Sequence, residues 1–160
     1  MDYDAFEDLG KDAPVPEGYK VIPCHMVYTA KHDSRHKSRF VGGGHRTETP
    51  VDSVYSGVVS LSGIRLIAFL AEHNGLNLWV TDVGNAYLES YTKEKVCFRA
   101  RTEFGEKEGH LFKIVKALYG LKSSGKRWHD RLHDVLREMG WTPSKAEEDI
   151  WMKDLSLIHI

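Results

Sequence analysis

The chain has 160 residues, with 22 Lys and Arg against 23 Asp and Glu and a net charge of -1, so it is long enough for one core. A domain of this size buries roughly 70% of the surface its unfolded chain exposes. Cys24 and Cys97 stand alone, without the paired spacing of a zinc site or a disulfide framework. No apolar run approaches the roughly 18 residues of a membrane span, and the acidic start Met1-Asp2-Tyr3-Asp4 is unlike a secretory signal. A soluble intracellular protein with reduced thiols is expected. Charge is segregated: His32 to Arg46 holds Arg35, Lys37, Arg39 and Arg46 against Asp33, and His110 to Arg137 holds seven Lys or Arg against Asp130 and Asp134. Local positive surface suits a phosphate-bearing partner, because each phosphate contact releases counterions; solvated faces are the plainer account.

In chain order, residues 1–17 read as an irregular acidic lead-in containing Pro14 and Pro16. Tyr19 to Ala30 is rich in β-branched and aromatic residues and favours a strand, with Pro23 marking an edge or bulge. A turn at His32-Asp33-Ser34-Arg35 leads into the returning strand Lys37 to Val41, which Gly42-Gly43-Gly44 ends. Ser62 is a candidate cap for a helix with Ile64, Ile67, Ala68 and Ala71 on its apolar face and Gly75 just past its end. Leu76 to Val83 reads as a buried central strand and His110 to Val115 as a further short one. Gly120 to Gly125 is a glycine- and serine-rich connection, followed by a helix over Lys126 to Met139 with Trp128, Leu132, Val135, Leu136 and Met139 on one stripe. Glu147, Glu148 and Asp149 fall in a polar stretch and read as a solvated turn or helix start. This mixture predicts an α+β domain.

Two ordered segments carry the chemistry. Asp82 follows Leu76-Asn77-Leu78-Trp79-Val80 and opens Asp82-Val83-Gly84-Asn85-Ala86-Tyr87-Leu88; Leu118-Tyr119-Gly120-Leu121-Lys122 follows later. Together they resemble the DVxxAFL-like and LYGLKQ-like segments of the reverse transcriptase of copia-type long-terminal-repeat retrotransposons. The resemblance extends from Gly18 to Met152, and Lys37-Ser38-Arg39-Phe40-Val41 matches a KARLVA-like segment. It implies that residues 18–154 form fingers and a partial palm, with a mixed, mainly antiparallel sheet and packed helices. It also implies template-directed transfer of deoxynucleotides to a primer 3′-hydroxyl, assisted by two Mg²⁺ or Mn²⁺ ions. The expected partners are an RNA or DNA template-primer, deoxynucleoside triphosphates and the rest of a retrotransposon polyprotein. No membrane partner is expected, and the family places the enzyme in the cytoplasm, in a virus-like particle.

Residue by residue, the resemblance makes Asp82 the catalytic carboxylate and metal ligand, with the Val83 carbonyl beside it. Tyr87 stands where copia-type proteins carry a Phe under the nucleotide sugar, excluding a 2′-hydroxyl. Lys37 and Arg39 become triphosphate contacts; alternate residues of a strand share a face. Gly120 and Lys122 line the template side, and Lys126, Arg127 and Arg131 follow the template strand. Ser123-Ser124 departs from the family's Gln-Ala.

A Tyr-x-Asp-Asp segment, which supplies further metal-binding carboxylate in the family, is absent, and no Asp-Asp pair occurs in the sequence. Leu155-Ser156-Leu157-Ile158-His159-Ile160 reads as the in-frame translation of a transposon-end sequencing adapter, so residues 155–160 are expected to be non-native and the natural sequence to break off near Asp154. The chain is expected to be a truncated fragment that does not polymerise alone. Two other readings are a domesticated, non-catalytic nucleic-acid-binding module and a P-loop triphosphatase. Gly120 to Lys126 fits G-x-x-x-x-G-K, but Arg127 stands where that loop requires Ser or Thr.

Overall fold

The computed structural model describes residues 3–47 and 54–153; the tail 155–160 lies outside the described residues. The chain divides into two compact units, one of Met1–Tyr55 with Asn85–Trp128 and one of Ser56–Gly84 with His129–Ile160. The fold is α+β with mainly antiparallel pairing. No helix among the described residues is long and apolar enough to cross a membrane.

The first unit is built on a four-stranded sheet in the order β1 (Phe6–Lys11), β6 (His110–Ile114), β5 (Val96–Arg99), β2 (Lys20–Val21). The β1–β6 and β6–β5 pairs are antiparallel, and β5–β2 is parallel. Strand β1 lies inside the stretch whose prolines and acids predict irregular chain, and its register explains why it forms. Glu7 sits opposite Lys113 with a 2.8 Å ion pair, while Phe6, on the other face, meets Phe98 and Phe112 edge-on. Asp8 takes His110 Nδ1 at 3.0 Å and Lys107 Nζ at 3.1 Å. The cost of ordering this chain is offset by partners remote in sequence, which local composition does not report.

Beside the sheet stands a hairpin of β3 (Cys24–Ala30) and β4 (His36–Gly42), in continuous register from Cys24↔Gly42 to Ala30↔His36. Pro23 divides the predicted Tyr19–Ala30 strand, leaving β2 in the sheet and β3 in the hairpin. A proline cannot donate to a ladder, so the chain changes partner there. The core gathers Ile22, Cys24, Val96, Phe98, Ala100, Phe112, Ile114, Leu118 and Leu121, with Phe6, Phe40, Leu88 and Phe104 packed against it. Phe40 of the hairpin meets Phe98 at 5.1 Å and Phe104 at 5.5 Å between centroids. Burial pushes the Cys24 thiol up to about 12, so it is an inert packing group.

The second unit contains α1 (Leu61–His73), capped by Ser60 and not by Ser62: Ser60 Oγ accepts from the Gly63 amide at 2.9 Å. Ser60 Oγ also lies 3.0 Å from Glu147 Oε2, and its amide donates to the Glu147 carboxylate. Glu147 and Asp149 are thus not the solvated residues expected: both are half-buried, Glu147 against the start of α1 and Asp149 in hydrogen bonds with His129 and His133, while Glu148 is exposed.

Leu76 to Val83 forms no strand. No described strand pairs with it, and Trp79 and Val80 are 90% and 98% exposed. Strand geometry without a partner leaves every backbone donor to water, so an apolar sequence alone does not impose it. Helix α2 (Ser124–Glu138) begins two residues before the predicted Lys126, and a short ladder of β7 (Thr142–Pro143) with β8 (Trp151–Met152) follows.

Candidate nucleotide and nucleic-acid site

In the first unit, the end of the hairpin and the segment before α2 are joined backbone to backbone. The Gly42 amide donates to the Tyr119 carbonyl at 2.8 Å, and Val41 bridges Tyr119 in parallel. The approach is close enough that a Cβ on Gly120, whose φ is +89°, would stand 2.1 Å from the Gly42 oxygen. Only glycine fits there.

Two buried serines hold the segment. Ser124 Oγ donates to the Leu118 carbonyl at 2.6 Å and accepts from the Leu118 amide at 3.0 Å. Glu94 Oε1 accepts from the Ser123 amide at 2.9 Å and from its hydroxyl at 2.7 Å. The Ser123-Ser124 departure is therefore structural: the pair closes the turn on itself and on Glu94. The Ser123 amide, one of the donors that the G-x-x-x-x-G-K pattern would offer a phosphate, is instead taken by Glu94.

Tyr119 is the centre of the surface so formed. The guanidinium of Arg39 lies over its ring, 5.5 Å from the centroid, and the Tyr87 ring meets it at 4.7 Å with a 50° tilt. Tyr87 is placed by a 3₁₀ turn, Ala86–Glu89, which Asn85 enters in the left-handed conformation. Ser90 Oγ and its amide donate to the Tyr87 carbonyl at 2.9 and 3.1 Å, and the Ser90 carbonyl accepts from Ala117. Thus three segments distant in sequence bring a cation and two aromatic rings together. Lys122 Nζ donates to the Thr47 carbonyl at 2.6 Å, which fixes this ammonium beside the end of the hairpin. Lys37 stands two residues before Arg39 on β4 and is exposed.

Lys126, Arg127 and Arg131 lie on α2, with Arg127 and Arg131 one turn apart. Arg131 makes a long 3.9 Å ion pair to Glu138. Sequence reasoning missed Glu94 and gave Tyr119 no partner, since no local pattern signals a carboxylate that binds a turn or a ring that collects two others.

Asp82 and Val83 belong to the second unit, both exposed on the extended segment after α1. Among the described residues, the one group of three or more His, Cys, Asp or Glu whose ligand atoms converge is His129, His133 and Asp149, and Asp82 is not in it. A two-ion centre needs more carboxylate oxygen than Asp82 provides.

Residues 12–158 match the family model described as reverse transcriptase (RNA-dependent DNA polymerase). Among curated proteins, the chain is 26% identical over 148 residues to the Retrovirus-related Pol polyprotein from transposon RE1 of Arabidopsis thaliana, covering 87% of this chain and 10% of that protein. It is 25% identical over 151 residues to the corresponding polyprotein from transposon TNT 1-94 of Nicotiana tabacum, covering 89% and 11%. It is 30% identical over 121 residues to the Transposon Ty1-NL2 Gag-Pol polyprotein of Saccharomyces cerevisiae, covering 74% and 7%. The chain therefore spans about a tenth of the length of these relatives. No solved structure matches. The chain belongs to the reverse transcriptase (RNA-dependent DNA polymerase) family of copia-type retrotransposon Pol polyproteins.

Proposed function

We propose that this chain is the fingers and N-terminal palm of a retrotransposon reverse transcriptase, and that the surface around Tyr119 receives the incoming deoxynucleoside triphosphate. The observation that carries this reading is the Arg39–Tyr119–Tyr87 arrangement, which puts a guanidinium and two ring faces on one small surface. Arg39 supplies fork-shaped donors for a phosphate oxygen, with Lys37 adding charge from the same strand. Tyr87 offers a rigid ring edge to the sugar and discriminates against a 2′-hydroxyl by volume. Gly120 gives the nucleic acid backbone-level access, and Lys122, Lys126, Arg127 and Arg131 provide the positive surface that follows a template strand.

The reaction of the whole enzyme is attack of a primer 3′-hydroxyl on the α-phosphorus of a triphosphate, releasing pyrophosphate. Asp82 and Val83 form one side of the ligand set for Mg²⁺ in that enzyme. Because one carboxylate is too few for two ions, the chain by itself binds substrates and does not extend a primer. Its partners are template-primer, deoxynucleoside triphosphates and the remainder of a polyprotein inside the cell.

The purified chain is tested by fluorescence anisotropy with a labelled template-primer across a salt series, then by adding a complementary triphosphate with Mg²⁺, and by primer extension in parallel. Binding is expected to fall with salt and to tighten with the triphosphate. Arg39→Ala should weaken the triphosphate effect roughly tenfold, the scale of one hydrogen bond to a charged group. Steady incorporation would refute the inactivity of the isolated chain. Salt-dependent binding indifferent to triphosphate and to Mg²⁺ would replace the polymerase reading with a non-catalytic nucleic-acid-binding module.

A further inference from the structure

Within the second unit, three side chains that the polymerase reading does not use converge on one point. His129 and His133 lie one turn apart on α2, and both aim Nε2 at Asp149 Oδ1, at 2.7 and 3.1 Å. Their rings are 3.8 Å apart between centroids. The three side chains are 17%, 11% and 20% exposed, so the cluster is sheltered but not sealed from solvent. Three ligand atoms, one from each residue, all lie within 4.8 Å of one another.

The surroundings are fitted to the cluster. Gly57 faces it: a Cβ there would stand 2.6 Å from Asp149 Oδ2 and 3.4 Å from His129 Nε2, so a side chain at residue 57 would have to displace the Asp149 carboxylate. Trp151 packs edge-on against His133 at 4.8 Å, which fixes that ring.

We propose that His129, His133 and Asp149 form a transition-metal site, with Zn²⁺ as the ion whose chemistry fits best. Two imidazole nitrogens one helical turn apart and a carboxylate oxygen from a following turn are a ligand set zinc accepts, at about 2.0–2.2 Å each. Tetrahedral bonds of that length place ligand atoms roughly 3.3 Å apart. The Nε2–Oδ1 spacings of 2.7 and 3.1 Å reach that value with sub-ångström rotations. A fourth position would be left for water, which the partial exposure of all three side chains allows.

On binding, both Nε2 atoms give up their hydrogen bonds to Asp149 and present lone pairs, so each neutral ring keeps its proton on Nδ1. His129 Nδ1 is buried without a hydrogen-bond partner among the described residues. Ligating histidines ordinarily anchor that proton, and lack of the anchor weakens a site roughly ten- to hundredfold. Micromolar affinity is the expectation. The ion would bind α2 to the turn bearing Asp149, and this site is independent of Asp82 and of the Mg²⁺ chemistry of polymerisation.

The test uses the whole chain, stripped of metal with a chelator and titrated with Zn²⁺ against a chromogenic competitor, and separately with Co²⁺ as a spectroscopic probe. One Zn²⁺ per chain and a tetrahedral Co²⁺ absorption spectrum are expected. His133→Gln and Asp149→Asn should each reduce Zn²⁺ affinity at least tenfold, whereas His25→Gln, on the hairpin of the first unit, should not. Should the site variants misfold by circular dichroism, the unmodified chain still decides: Zn²⁺ must protect His129 and His133 from diethyl pyrocarbonate modification mapped by mass spectrometry. Unprotected rings, a featureless Co²⁺ spectrum, or Zn²⁺ affinity unchanged in both site variants would overturn the proposal.

Discussion

The two compact units handle the same kind of residue in opposite ways. In the first, Phe98 is 1% exposed and touches Phe6, Phe40, Phe104 and Phe112, with ring centroids 5.1 to 5.5 Å away. In the second, Leu61, Leu66 and Phe69 of α1 are 60%, 53% and 63% exposed, and Trp79 and Val80 face water almost completely. The second unit is not poorer in apolar residues than the first. The first unit differs because a strand, a hairpin and a sheet supply surfaces from remote parts of the sequence to close over its aromatic rings. Hydrophobic residues do not by themselves make a core; complementary faces at native packing density do.

The largest effect that would sharpen this contrast comes from Phe98→Ala. Removing a fully buried aromatic ring costs about 3–5 kcal/mol through lost burial and the cavity left behind. Urea unfolding followed by circular dichroism should show the first unit's transition move to markedly lower denaturant or vanish. A change below about 1 kcal/mol would mean that the five-phenylalanine cluster is not the core of that unit.

Gly120→Ala ranks next. Its φ of +89° and the approach to the Gly42 oxygen leave no place for a methyl group, and a residue held in such a strained conformation costs about 1–3 kcal/mol. The loss should appear as a lower unfolding midpoint together with weaker triphosphate binding, because Tyr119 is the adjoining residue. Ala at 120 tolerated on both measures would show that the hairpin end and the Tyr119 segment are not fastened as described.

These positions also show what the sequence conveys and what it does not. The returning hairpin strand, the α1 stop near Gly75 and the amphipathic stripe of α2 are legible because each depends on neighbours within a turn or two of chain. Gly120 is legible as a place of close approach, but its partner, Gly42, is not. Strand β1 is hidden because its stability resides in Lys113, His110 and Phe98. Strand β5 is hidden for the opposite reason: Val96-Cys97-Phe98 is too short a run to mark itself as a strand, though all three residues are buried. Leu76 to Val83 misleads because a buried strand and an unpaired apolar segment have the same composition; only a pairing partner tells them apart. Motif matching singles out Asp82, Tyr87, Lys37 and Arg39 one by one, whereas the meeting of Arg39 and Tyr87 on Tyr119, the Glu94 bonds to Ser123 and the His129–His133–Asp149 cluster require three-dimensional proximity.

The smallest expected change in stability, and the one that can break the contrast outright, belongs to Trp79→Ser. A side chain 90% exposed has little burial to lose, so the unfolding midpoint should shift by no more than about 0.5 kcal/mol equivalent. Self-association should respond instead. Leu76, Leu78, Trp79 and Val80 form a continuous exposed apolar segment broken only by Asn77, and such surface drives association of soluble chains. Light scattering over a concentration series should show Trp79→Ser remaining monomeric where the parent chain associates. If Trp79→Ser instead lowered the midpoint as far as Phe98→Ala does, Trp79 would be buried in solution and the second unit would possess a core of its own. The two outcomes differ by several kcal/mol in one measurement and in opposite directions in the other, so a single variant separates an apolar segment that lacks a covering face from one that has found it.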